Sequence, residues 1–332
     1  MSKRQKNSLF FLLIFITLAF FVLDLAWGSI RIPFNEIFSI LAGKGTNDIH
    51  TEIILNFRLP KAITAIIAGI SLSIAGLMMQ TLFRNPLADP YILGISSGAS
   101  LGAAMVMMAA SLFPAVFISS NWSLIIAAVI GASLVLLLVI LASFKVHDVV
   151  SLLIVGIMFG TIASALVNIF QNLSNPDAVK LFIMWTFGSL SAVTWHHLLV
   201  LIPVFLIGMM IAIFLQKRLD VLLLGENYAR SSGVSIQQTR FLIVLATGLL
   251  AGGITAFTGP IAFVGIAIPH VARGIFRTSS HKILIPACVL CGASLLMICD
   301  IISQIPAYSL PINTVSALFG APVILWIILK RK

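Results

Sequence analysis

Gln80–Ser100 reads QTLFRNPLADPYILGISSGAS: an Asn-Pro, an Asp-Pro and a run of small residues lie between two segments apolar enough to cross a membrane. A second interruption, Thr258–Gly274 (TGPIAFVGIAIPHVARG), again sets Gly and Pro into apolar sequence. Such breaks free backbone groups that must be satisfied by packing or by a water-lined cavity. A chain that only needs anchoring has no use for them, so paired breaks in the two halves point to a transport pathway.

Around these stretches the composition leaves one class. Of 332 residues 60% are hydrophobic and only 9% charged, which excludes a soluble globule and a disordered chain. Runs of about 20 apolar residues, enough to cross the hydrocarbon, fall near 8–28, 58–79, 92–112, 122–143, 149–170, 196–215, 240–257, 261–277, 283–303 and 313–329. The expectation is an all-α polytopic membrane protein of about ten transmembrane helices, forming a single permease domain over 1–332. The soluble segments between spans are too short to build a core of their own.

Ten spans put both termini on one side. That side collects Lys3, Arg4, Lys6, Arg84, Lys145, Lys217, Arg218, Arg230, Arg240, Arg273, Arg277, Lys282 and the Lys330–Lys332 tail, against Arg31, Lys44, Arg58, Lys61 and Lys180 opposite. By the positive-inside rule the termini are cytoplasmic, and Gln80–Ser100 comes to the cytoplasmic face. The net charge of +10 is thus topological. No basic run is interleaved with stacking aromatics, so nucleic acid is not expected as a partner. Lys3-Arg4-Gln5-Lys6 opens the first span and not a cleavable signal, because no small-residue cleavage site follows.

Span two (AIIAGISLSIAGLMMQ) and span seven (VLATGLLAGGITAFTGP) each lead into a break and would run in opposite directions, which raises an inverted five-plus-five repeat as an expectation. Their small residues, Gly69, Ser73 and Gly76 or Gly248, Gly252 and Thr255, suit close helix packing. Outside, Phe34, Ile37, Phe38 and Leu41 recur at helical spacing and predict a short helix on the membrane surface.

Catalytic motifs are lacking. Gly43-Lys44-Gly45-Thr46 lacks the first glycine of a P-loop, so the chain should not bind ATP. Gly94-Ile-Ser-Ser-Gly98 matches the nucleophile elbow only formally; a helix start explains it better. Asp24 and Asp300 sit near span ends, and no ionisable residue lies in mid-span, which argues against ion coupling. Cys288, Cys291 and Cys299 read as buried thiols, His196-His197 diverge around a helix and form no ligand pair, and His270 reads as a structural residue. No metal site, cofactor or catalytic residue is expected.

Arg58-Leu-Pro-Lys61, the Gln80 to Gly98 run, Gly259-Pro-Ile-Ala-Phe-Val-Gly265, Pro269-His270-Val-Ala-Arg273, Leu310-Pro311 and Gly320-Ala-Pro322 occur in order. Together they resemble the FecCD-type, BtuC-like permeases of ABC importers for iron-siderophores, haem and vitamin B12. The resemblance implies a bacterial inner-membrane subunit that pairs with a second permease subunit, as a homodimer, two cytoplasmic ATPase subunits and an external substrate-binding protein. It makes 216–239 the cytoplasmic coupling loop, with Leu224, Gly225, Glu226, Ala229, Arg230 and Gly233 facing the ATPase. It makes Arg58 and Lys61 docking residues for the binding protein. The topology, which brings Gln80–Ser100 to the cytoplasmic face, makes Asn85, Pro86, Asp89, Pro90 and Gly94 an expected inner gate or hinge. Lys61 stands where the family pattern has a second arginine, Gln304 where a related permease has another, Ser309 in place of a Glu and Asn313 in place of a Gly. The implied cargo is a metal chelate, iron-siderophore first, then haem or cobalamin. The alternative is an ion-coupled secondary carrier of a small apolar solute.

Overall fold

A computed structural model describes residues 2–28, 30–45, 47–109, 120, 122–146, 148–305 and 309–330. Among them every regular element is helical. Seven helices are long and apolar enough to cross a membrane, and three shorter apolar ones, Ile95–Met108, Val264–Phe276 and Ile312–Leu325, occupy the places of spans three, eight and ten. The outer end of the third expected span, 110–112, lies outside the described residues.

In chain order the elements are α1 (Lys3–Ala26), the amphipathic α2 (Phe34–Leu41), α3 (Asp48–Leu82), the short α4 (Ile95–Met108), α5 (Ser123–Lys145) and α6 (Val149–Leu173). Then come α7 (Pro176–Thr186), α8 (Trp195–Leu223), α9 (Glu226–Ser231), α10 (Ile236–Thr258), α11 (Val264–Phe276), α12 (His281–Ser303) and α13 (Ile312–Lys330). The expected loop over 216–239 is therefore mostly helix: α8 runs on through Leu223 and α10 starts at Ile236, leaving only α9 and its flanks between them.

Helix α3 is the axis of the subunit, with 83% of its most apolar window buried, whereas α6 has only 22% buried and α1 11%. Small residues explain the difference. A Cβ on Gly76 would sit 1.9 Å from the Gly265 carbonyl oxygen, so α11 lies backbone to backbone against α3 only because both residues are glycine. Gly69 and Gly292 do the same between α3 and α12. Without a hydrophobic driving force between helices in lipid, such close backbone approach is what binds them.

Candidate functional site

The two breaks seen in the sequence meet in space. In the first, the Asn85 side chain accepts from Leu87 N at 2.9 Å and Asp89 Oδ1 accepts from Tyr91 N at 2.8 Å. Pro90 opens a short 3₁₀ turn that ends at Gly94, whose φ of 76° only glycine adopts without strain. Gly94 packs on Gly156 and Gly160, about halfway along α6, so this break climbs from the inner face into the membrane. Helix α4 is short, and a non-helical segment packed against α6 leads into it.

The second break, 259–263, is non-helical, opening at Gly259 with φ 74° and ending at Phe263 with φ 69°. Its backbone is served from elsewhere. Ala262 N donates to Asn313 Oδ1 at 3.0 Å and Ile261 N points to the Tyr91 hydroxyl at 3.4 Å, which also receives Thr255 Oγ1 at 2.9 Å. Pro90 fills the space that a side chain on Gly265 would need. Further along α11, Arg273 Nη1 donates to Gln80 Oε1 at 2.6 Å, and Gln80 Nε2 donates to the carbonyls of Gly265 and Ile266. His270 Nε2 lies 2.7 Å from Pro86 O, so that nitrogen carries the proton. Helix, break and short helix thus occur twice, and the two copies interlock.

On the inner face Asn85 shares a cleft of about 800 Å³ with Arg84, Asp148, Leu224, Gly225 and Glu226. Of the coupling positions, Leu224 and Arg230 are exposed, while Ala229 is buried and anchors α9. Glu226 is committed to Arg240 at 2.7 Å. Gly225 and Gly233 carry positive φ, 120° and 78°, at the two ends of α9. Asp148 caps α6 by accepting from Ser151 N at 2.7 Å, and the Ser151 hydrogen bonds hold its carboxyl below the usual range.

At the outer end, Arg58 and Lys61 are both 7% exposed and turned inward. Arg58 donates to the carbonyls of Leu25, Ala26 and Ile30, closing the C-terminal end of α1, and Lys61 pairs with Asp300 at 2.7 Å. Asp24 lies against Asp300, so four ionisable side chains from three helices form one buried cluster. Two of the departures have roles inside the chain. Gln304 Nε2 donates to Asp300 Oδ2 at 3.0 Å, and Asn313 serves the second break. Ser309, with Lys61, Asp300 and Gln304, lines a polar outer cavity of about 210 Å³.

One feature was overlooked in the sequence although its spacing was there to read. Thr161, Ser164, Asn168 and Asn172 recur three or four residues apart along α6 and are all exposed, an uncharged polar stripe on a spanning helix. Ser164 bonds Ser97 of α4 at 3.3 Å. Asp24 and Asp300 were visible only as separate span-end acids, since nothing local pairs residues so far apart. Among the described residues no three His, Cys, Asp or Glu side chains gather as a metal site.

Comparison with known proteins agrees with this architecture. The chain is 33% identical to the ABC transporter permease protein YvrB of Bacillus subtilis over 93% of its length and 90% of that protein's. It is 33% identical to the vitamin B12 import system permease protein BtuC of Klebsiella pneumoniae, covering 100% and 96% of the two chains. It is 31% identical to the hemin transport system permease protein HmuU of Yersinia pestis, covering 92% and 90%. A solved metal-chelate-type ABC transporter in an inward-facing conformation superposes with a TM-score of 0.86 at 28% identity, covering 98% of this chain and 99% of that one. The model of the FecCD transport family matches residues 15–330, and the chain belongs to that family.

Proposed function

We propose that the protein is the membrane-spanning subunit of an ABC importer that moves a metal chelate into the cytoplasm across a bacterial inner membrane. The observation that carries this reading is the end-to-end likeness to an ABC transporter of metal-chelate type. Two copies form the passage, two ATPase subunits bind at the cytoplasmic face that also holds both termini, and an external binding protein delivers cargo. Iron-siderophore is the first choice of cargo, with haem and cobalamin behind it. ATP hydrolysis belongs to the partner.

The polar stripe of α6 supports the two-copy arrangement. Exposed Asn, Ser and Thr side chains are poorly placed against hydrocarbon and well placed against a wet passage or a second subunit. Leu224 and Arg230 on the exposed side of α9 are the contacts for the ATPase, and Glu226–Arg240 transmits the displacement of α9 to α10. The inner cleft places that device beside Asn85, so a push on α9 reaches the first break through Arg84 and Asn85. At the outer face, a carboxylate of the binding protein would compete with Asp300 for Lys61. Arg58, held by three carbonyls, is a cap on α1 and docks only if that cap opens.

The test is uptake into proteoliposomes containing this chain, its ATPase and its binding protein, with radiolabelled ferric chelates, haem and cobalamin as cargo. Replacing the catalytic glutamate of the ATPase is expected to abolish uptake. Uptake that persists on an ion gradient alone would return the secondary-carrier reading.

A further inference from the structure

Two cavities of opposite character meet at Trp122, away from both breaks. The first is a groove of about 330 Å³ between α5, α8 and α10, walled by carbon atoms of residues such as Ile126, Val129, Val204 and Phe257. Glycine makes it: Gly248, Gly252 and Gly253 line its floor, where α10 widens into a π turn over Gly248–Gly252. Side chains are absent there, and a wide turn of this kind inside a helix often marks a functional position. The groove opens sideways onto exposed Ile126, Val129, Ile130 and Val200, on helices that span the membrane.

The second cavity, about 660 Å³, lies at the N-terminal ends of α5 and α8 and is lined by Ser120, Trp122, Ala192, Thr194, His196 and His197. About half of its lining is polar, and among the described residues that line it none is a carboxylate. Trp122 stands at the junction, edge-on to His197 at 4.7 Å and 89°, with Phe257 6.4 Å away. With Trp195, exposed one residue before His196, it marks the level at which indole rings sit between hydrocarbon and headgroups. His197 is held in the fold, its Nδ1 accepting from Thr194 N, so His196 is the ring free to meet a ligand.

We propose that this paired cavity binds one phospholipid, with an acyl chain in the glycine-floored groove and the phosphate in the pocket of Ser120, Thr194 and His196. A slot open to the membrane core is filled by acyl chain and not by water, because its walls offer water no partners. An apolar slot that ends in a hydrogen-bonding pocket at the indole level fits an amphiphile with a single polar end. The Ser120 and Thr194 hydroxyls and the His196 ring offer the donors that a phosphate accepts from. A second copy of the chain is a poorer occupant, since the groove offers it no polar complement of the kind that α6 presents. By the proposed topology the site faces the outer leaflet.

The test uses the full chain in nanodiscs containing phosphatidylcholine with a diazirine near the end of one acyl chain. Crosslinks are expected to concentrate on the peptides around Val129 and Gly252, about tenfold above the exposed apolar face of α1 at Phe11, Phe15 and Leu18, the ratio a 1.4 kcal/mol preference supplies. Val129→Trp fills the groove from an exposed position and is expected to reduce that labelling to the α1 level with an unchanged melting temperature. Should Val129→Trp unfold the protein, Ser133→Leu fills the same groove. His196→Glu is expected to weaken labelling by phosphatidylcholine but not by a diacylglycerol with the same chains. Even labelling along α1, α5 and α8 would reduce the site to ordinary boundary lipid and overturn the proposal. Equal labelling of the unmodified protein by diacylglycerol and phospholipid would overturn the phosphate assignment.

Discussion

The two breaks solve one physical problem by different means. Residues 83–94 turn with their own side chains, Asn85 and Asp89 each accepting a backbone N–H two residues on. Residues 259–263 have no such help, and Ile261 and Ala262 donate their N–H groups to Tyr91 and Asn313, more than fifty residues away in either direction. The turns of the first break are closed by their own side chains, with His270 of α11 added at Pro86 O, whereas the N–H groups of Ile261 and Ala262 find their partners only in the folded subunit. The second should therefore be the more fragile of the two, and the one whose loss spreads.

The severest way to break this relation is Gly76→Val, which removes the backbone contact that brings α11 and both breaks to α3. Because the colliding atom is a backbone oxygen and cannot swing away, the cost should reach or exceed about 3 kcal/mol. The expected readout is a large loss of folded subunit in detergent by size-exclusion and thermal melting. Next comes Tyr91→Phe, which keeps the ring and deletes the hydroxyl shared by Thr255 and Ile261. It should cost about 1–3 kcal/mol for the groups left unsatisfied, and hydrogen exchange at 259–263 should rise while exchange at 85–89 stays unchanged. Equal increases at both breaks would end the asymmetry argued here.

Asn313→Gly restores the residue type of the family pattern and should cost about 1 kcal/mol, one neutral hydrogen bond, with uptake retained. Asn85→Ala should cost less again, because water reaches its turn on the inner face; a melting shift larger than that of Tyr91→Phe would invert the order. The smallest effect concerns Asp148. Its folded-state pKa is depressed, so its stabilising contribution is complete above the ordinary carboxylate value and lost as pH falls through the folded one. Asp148→Asn should flatten the acid limb of the stability profile slightly and leave neutral pH untouched, as a pH series of melting curves would show.

The same contrast decides what could be read in advance. Spans and breaks are written in local composition, so the apolar helices, the short helix over Phe34–Leu41 and the turn-forming character of Asn85, Asp89 and Gly94 were legible. The depth of the first break was not, because it depends on Gly94 meeting Gly160, a contact between helices. Arg58 and Lys61 illustrate the limit best. Their charge and position suggest a face for a partner, yet the acids and carbonyls that claim them arrive from residues 25–30 and 300. Thr161, Ser164, Asn168 and Asn172 are the reverse case, a pattern available in plain spacing and overlooked among stronger motifs.

Arg58 also imposes an order on biosynthesis. Helix α1 is little buried, and its outer end closes only when the guanidinium reaches the carbonyls of Leu25, Ala26 and Ile30. While the nascent chain is still short of residue 58, those carbonyls have only water and lipid headgroups to meet. The first helix to enter the membrane therefore acquires its full set of contacts only after α3 brings Arg58 and α12 supplies Ser294 to Thr17.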